Sequence, residues 1–223
     1  MIKNVHLGTP LPLIVGFLIA VNIIISYLGF NNPQFFDRLK FDIAFSGPKN
    51  NYRYFTSAFL HVSWAHLFFN MFTLYLFGYP VVRVLGVGGF LILYFCSLLG
   101  GNLFASYYHQ KSNHYAAVGA SGAISGILFS TILLYPELEL YIFFIPIPIP
   151  GYLFAAAYVA YSLYGMKMRN DNIGHTAHLG GALCGIVLSI TFKPDLIIEA
   201  SRTLIYLSLT TIALVFWLFR KKN

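Results

Sequence analysis

Seven apolar runs joined by short polar connections predict an all-α membrane protein built as one helical bundle. Composition agrees: 58% of the 223 residues are hydrophobic and 9% are charged, against about 25% charged in a soluble domain. The third observation is chemical. A serine and a histidine sit within two of those runs, and ionisable groups are costly in hydrocarbon, so an intramembrane histidine reads as functional by default.

The runs cover about residues 11–29, 54–78, 88–108, 119–136, 151–166, 175–192 and 203–219. The first, Leu11 to Gly29, follows a weakly basic start at Lys3 with no small-residue cleavage pattern after it, and reads as a retained span. Asn31 to Arg53 is the longest polar connection, yet it carries Phe35, Phe36 and Phe41, as an interfacial and partly embedded loop would. The fourth, fifth and sixth runs are short for a hydrocarbon core of about 30 Å. They are expected to begin inside the protein, or where the membrane is thinned, and to line a cavity. Between the fourth and fifth, Ile145-Pro146-Ile147-Pro148-Ile149-Pro150-Gly151 lacks alternate N–H groups and predicts a connector. The implied division is a short tail over 1–10, a six-helix core over 11–192, and an added helix with a basic tail over 193–223.

The net charge of +7, from 14 Lys and Arg against 7 acids, suits anionic lipid headgroups and a bilayer partner rather than nucleic acid. Cys96 and Cys184 fall in apolar runs and read as packing residues, not a disulfide or metal pair. No metal or cofactor site is expected, and nothing specifies an oligomeric state. No internal repeat is visible, which disfavours an inverted-repeat transporter. With a cytoplasmic start, Lys3, Arg83, Lys193 and Arg202 fall inside and the other ten basic residues outside, the reverse of the positive-inside rule.

Two stripes of small residues stand out. Gly119, Ser121, Gly122, Ser125 and Gly126 include i, i+4 pairs, and His178, Gly181 and Gly185 fall at i, i+3 and i+7 on one helical face. Small residues let helices approach closely, which brings a Ser121–His178 hydrogen bond within reach. Each stripe alone is equally consistent with plain helix packing. Ser121 also stands at a helix start, because the polar stretch His109 to His114 ends just before it and Gly119 supplies a break. The unpaired N–H groups and positive dipole end of such a start suit an oxyanion forming on a carbonyl attacked by Ser121.

His66 and Asn70 lie four apart on one face of the second run. They either donate to that oxyanion or bond each other and the loop above. His175 competes with His178 as the base, but His178 lies one turn further from the polar loop Lys167 to Asn172 and keeps register with Gly181 and Gly185. His61 reads as a satisfied interfacial residue, as do His6, His109 and His114. Asp171, Asp195, Glu137 and Glu139 lie outside the spans or at their far end, so hydrolysis would run on a dyad.

Through Tyr52 to His61, His66-Leu67-Phe68-Phe69-Asn70-Met71, Gly119-Ala120-Ser121-Gly122 and Ala177-His178-Leu179-Gly180-Gly181, the chain resembles the rhomboid family of intramembrane serine proteases. The resemblance covers about 11–192 and implies a rhomboid-like six-helix transmembrane bundle, here with one additional C-terminal helix. It implies Ser121 as nucleophile, His178 as base, and an oxyanion hole of His66, Asn70 and the Ser121 N–H, with Gly119, Gly122, Gly181 and Gly185 packing the helices around them. It also implies transmembrane protein substrates, a loop carrying Arg53 in the outer leaflet, and a site opening to the extracytoplasmic side of a cell inner membrane. An inactive relative that binds membrane clients is the alternative, disfavoured by retention of both Ser121 and His178. Three positions depart from the family. Tyr52 stands where many members have Trp, Val82 where a Glu often follows the second helix, and Ser125 where many carry an aromatic ring against the histidine.

Overall fold

The computed structural model describes residues 11–45, 50–112, 115–141, 147–168 and 173–220. Helix α1 (Leu13–Asn31) buries Val15, Leu18, Asn22, Ser26 and Gly29, a single stripe, while Leu13, Phe17, Ile24 and Tyr27 point outward. Large apolar groups on the outside and small or polar ones within are the pattern of a lipid-facing helix. A short helix α2 (Pro33–Leu39) follows, capped by the Asn32 side chain on Phe35 N–H. Strand β1 (Phe41–Asp42) and helix α3 (Arg53–Thr56) complete the first loop.

The second span begins later than its apolarity suggests. Residues 53–59 form α3 and a 3₁₀ turn over Ser57–Phe59, and the spanning helix α4 (Trp64–Tyr108) starts only where Ser63 Oγ accepts the His66 N–H. Phe55, Ala58 and Phe59 are apolar because they pack against the bundle, not because they cross it. Helix α4 contains the second and third runs. It breaks at Gly86 (φ 69°, ψ 175°), a conformation open to glycine, and the chain folds back so that Phe90 packs 3.6 Å from where a Gly78 Cβ would stand.

Strand β2 (Ala116–Ala117) pairs with β1 and leads into α5 (Ser121–Leu134). Every residue from Gly122 to Leu133 is buried, which makes α5 the central helix. At 14 residues it spans about 21 Å, well under the thickness of a bilayer core. The proline-rich connector is a two-stranded ribbon: β3 (Glu139–Tyr141) pairs antiparallel with β4 (Pro148–Pro150). Its Ile145 and Pro146 lie outside the described residues.

Helix α6 (Gly151–Met168) is followed by α7 (His175–Phe192), which packs into the angle between α4 and α5. A short α8 (Leu196–Glu199) turns the chain into the C-terminal helix α9 (Ser201–Arg220). Helix α9 packs chiefly on α6, where Tyr206 meets Tyr152 at 4.8 Å between ring centroids and Arg202 lies over the same Tyr152 ring. Helices α1, α4 and α7 are long and apolar enough to cross a membrane. The fold is therefore a helical membrane bundle with α4, α5 and α7 at its centre.

Candidate active site

Helices α5 and α7 touch through glycine. A Cβ on Gly181 would overlap the Gly122 carbonyl oxygen, and one on Gly185 would overlap the Gly126 carbonyl oxygen. One turn further, Ser189 Oγ donates to Ser130 Oγ at 2.8 Å. Positions 122, 126 and 130 thus meet 181, 185 and 189 at four-residue intervals, the periodicity of two closely packed membrane helices. The second half of α4 closes the triangle, with Gly101 against the Ala177 carbonyl and Ser97 against Gly126. Ser121 and His178 stand at the same end of this seam.

The stretch before Ser121 is held from outside the bundle. β1 pairs Phe41 with Ala117 and Asp42 with Ala116, and the Gly119 N–H donates to the Ser57 carbonyl at 3.0 Å. Ser57 is fixed in turn by Asn102, whose amide donates to Ser57 Oγ and the Tyr54 carbonyl. Gly119 has φ +120°, where side chains are strained, and a Cβ there would lie 2.8 Å from His66 Cε1, 2.9 Å from His66 Nε2 and 3.7 Å from Asn70 Nδ2. The imidazole and the amide therefore converge on the residues just ahead of Ser121, whose N–H belongs to the first, unpaired turn of α5. Asn70 Nδ2 also donates to the His66 carbonyl of its own helix at 3.1 Å, which uses one amide proton and leaves the second.

A cavity of about 1470 Å³ is lined by Ser121, His178, His66, Asn70 and Gly119, all five sequence-predicted, and by His175. Gly181 and Gly185 lie below it in the helix seam, and Gly122 serves both. Among the described residues lining it there is no Asp or Glu. Among the described residues, no group of three His, Cys, Asp or Glu is placed to hold a metal ion. His175 is more buried than His178, because its ring sits directly against Gly165 of α6 and edge-on to Tyr161 at 5.0 Å. His178 is the half-exposed one, with its ring turned to the cavity wall.

The described part of the first loop is structured, as its aromatic content predicts. Arg53 Nη1 donates to the Asp37 and Lys40 carbonyls, at 2.9 and 3.0 Å, and Thr56 Oγ1 donates to the Leu39 carbonyl. This braces β1 and, through β2, the approach to Ser121.

The family model for the Rhomboid domain matches residues 48–195, more than half of the chain. The chain belongs to the rhomboid family. It is 33% identical over 134 residues to Rhomboid protein 1, mitochondrial, of Saccharomyces cerevisiae, covering 59% of this chain and 39% of that protein. It is 33% identical over 142 residues to RHOMBOID-like protein 12, mitochondrial, of Arabidopsis thaliana, covering 57% and 42%. It is 34% identical over 148 residues to the human Presenilin-associated rhomboid-like protein, mitochondrial, covering 63% and 38%. The chain thus matches about two-fifths of the length of these relatives.

Three features of this rhomboid-family site lie outside the sequence reading. His61 is fully buried as well as satisfied: its Nδ1 bonds Ser26 Oγ at 2.8 Å and its ring stands edge-on to His66 at 4.9 Å. Lying ahead of α4 and out of water, its imidazole is pushed down to about 3 by burial, with the neighbouring His66 adding to the effect. His109 likewise gains a place in the cavity wall, stacked on Tyr115 at 3.8 Å, while Tyr115 and Thr176 pair their hydroxyls at 3.2 Å. His6, His114 and the loop 169–172 lie outside the described residues. Tyr158 of α6 enters the cavity beside His178, a position the sequence signals only as one of several tyrosines in an apolar run.

Proposed function

We propose that this protein is an intramembrane serine endopeptidase that cleaves peptide bonds in or near the transmembrane segments of membrane-protein substrates. The observation that carries the proposal is the convergence of His66 and Asn70 on the left-handed Gly119 immediately before Ser121, in a cavity that also receives His178. Family membership supports it, since rhomboid proteins are usually serine proteases acting on membrane proteins in the bilayer.

In this reading His178 takes the Ser121 Oγ proton as the oxygen attacks the substrate carbonyl. The tetrahedral oxyanion accepts hydrogen bonds from the free Asn70 amide proton, the His66 ring and the Ser121 N–H, assisted by the positive end of the α5 dipole. His178 then protonates the leaving amine, and the carbonyl carbon stays on Ser121 as an ester. Water entering the cavity loses a proton to His178, attacks the ester, and releases the acid product and the free serine. The substrate helix unwinds locally first, because helical amides are already bonded and shielded. The core that does this corresponds to residues 11–192, with 193–223 as an appended helix and tail. We place the cavity mouth toward the extracytoplasmic side. The relatives named above are organelle proteins, so they lend no support to the cell inner membrane expected from the sequence.

The test is incubation of the detergent-purified protein with a single-span substrate, comparing wild type with Ser121→Ala. Cleavage is expected from wild type and at least a roughly 10³-fold loss in the variant. Undiminished cleavage by Ser121→Ala contradicts the proposal, and wild-type binding without cleavage favours the inactive client-binding reading.

A further inference from the structure

In the family's usual arrangement the ring beside the histidine comes from the nucleophile's own helix, four residues on, and here that position is a serine. A ring is nevertheless present. Tyr158 of α6 places its centroid 6.2 Å from that of His178 at an interplanar angle of 32°, within the range over which aromatic rings attract.

The Tyr158 ring is fixed on several sides. It meets Phe129 of α5 edge-on at 5.4 Å and 71°, and Phe154 of its own helix at 6.3 Å. Its hydroxyl lies 2.7 Å from Ser125 Oγ, and Ser125 Oγ donates to the Ser121 carbonyl at 2.7 Å. A serine hydroxyl has one proton. Ser125 gives that proton to the Ser121 carbonyl, so the proton between the two hydroxyls comes from Tyr158. The result is a directed chain from Tyr158 through Ser125 to the backbone of Ser121. Ser125 thus supplies the acceptor that anchors the Tyr158 ring.

We propose that Tyr158 is the positioning residue for His178, replacing across the α5–α6 interface the ring that α5 itself lacks. This deepens the endopeptidase reading and rests on it. It also makes dyad geometry depend on a second helix. Helix α6 packs mainly on α9 and only lightly on α5, so the Tyr158–Ser125 bond is a principal tie between α6 and the nucleophile's helix. Displacement of α6 from α5 would withdraw the ring from His178 and the donor from Ser125 together.

The test uses the full chain in detergent with a single-span substrate and a fluorophosphonate probe, on wild type, Tyr158→Phe, Tyr158→Leu, Tyr158→Leu with Ser125→Tyr, and Ser121→Ala. Tyr158→Leu keeps bulk and removes ring and hydroxyl. We expect its kcat and its labelling rate to fall about tenfold with KM within about twofold, the size of a lost aromatic contact in a positioned pair. Its kcat–pH profile should shift on the acid limb, the limb that a general base sets. Tyr158→Phe should retain most of the activity, and the double variant, with a ring returned to α5, should recover at least half of the loss. Wild-type kcat and an unshifted pH profile in Tyr158→Leu overturn the inference, as does a loss confined to KM or to thermal stability. If Tyr158→Leu fails to fold, the double variant decides: near-wild-type kcat with the ring on α5 supports the inference, and a folded double variant with kcat down about tenfold or more overturns it. Persistent cleavage by Ser121→Ala overturns the endopeptidase reading instead, so the two failures are distinguishable.

Discussion

Gly181 of α7 rests on the carbonyl of Gly122 of α5 with no room for a methyl group between them. Backbone meets backbone there, so a larger residue cannot be absorbed by a side-chain rotation. Gly181→Ala is expected to separate the helices, destabilise the protein by about 1–3 kcal/mol and abolish activity by moving His178 away from Ser121. Gly88→Ala is the control, since a Cβ there meets nothing within 4 Å and loses only chain entropy in the unfolded state. Unfolding midpoints in a denaturing-detergent titration check both.

Asn70 donates one proton to its own helix and has one left for chemistry. If that proton stabilises the oxyanion, Asn70→Ala lowers kcat on the order of 10²-fold while KM hardly changes, because the interaction strengthens only in the transition state. A matching rise in KM with unchanged kcat would assign Asn70 to substrate binding.

Gly119→Ala combines a forbidden φ with a methyl group 2.8 Å from the His66 ring. Its expected signature is a kcat defect like that of Asn70→Ala together with a stability cost of about 1–3 kcal/mol. Kinetics and unfolding measured on the same preparation separate it from Asn70→Ala, which carries the kinetic defect alone.

The buried His61 ring gives stability a pH dependence. Ser26 Oγ donates its proton to the Phe59 carbonyl, so His61 Nδ1 donates to Ser26, and a second proton on Nε2 would find no acceptor among the described residues. The folded ring stays neutral down to about pH 3, while an unfolded histidine takes up a proton below its ordinary value near 6.5. The folded pKa is the lower one, so the unfolded state binds more protons in this window. Stability is full above about pH 6.5 and falls as pH drops toward 3, by at most about 1.4 kcal/mol per pH unit from this group. Unfolding free energies at pH 7 and pH 4.5 should therefore differ less in His61→Asn than in wild type.

Much of this site is legible along the chain because it rests on short-range pattern. The break at Gly119, the helix start at Ser121, and the spacings that align His66 with Asn70 and His178 with Gly181 and Gly185 are all local; the structure brings Gly119, Ser121, His66, Asn70 and His178 to one cavity and puts Gly181 and Gly185 in the helix seam beneath it. The late start of α4 was written in Ser63, a capping residue, but the apolar run from Phe55 to Leu60 outweighs it when hydropathy alone is read. The pairing of Phe41–Asp42 with Ala116–Ala117 is too short to carry an alternation signal. The partners of His61 and Tyr158 were illegible for a different reason: each lies in a distant part of the chain, Ser26 in one case and Ser125 in the other, and such pairs have no fixed spacing in sequence.

The most direct measurement is the site of covalent labelling by a fluorophosphonate, mapped by mass spectrometry on the purified protein. The account expects one adduct, on Ser121, absent from Ser121→Ala and slowed at least about 10³-fold in His178→Ala. An adduct on any other residue, or Ser121 labelling at the wild-type rate without His178, would contradict it.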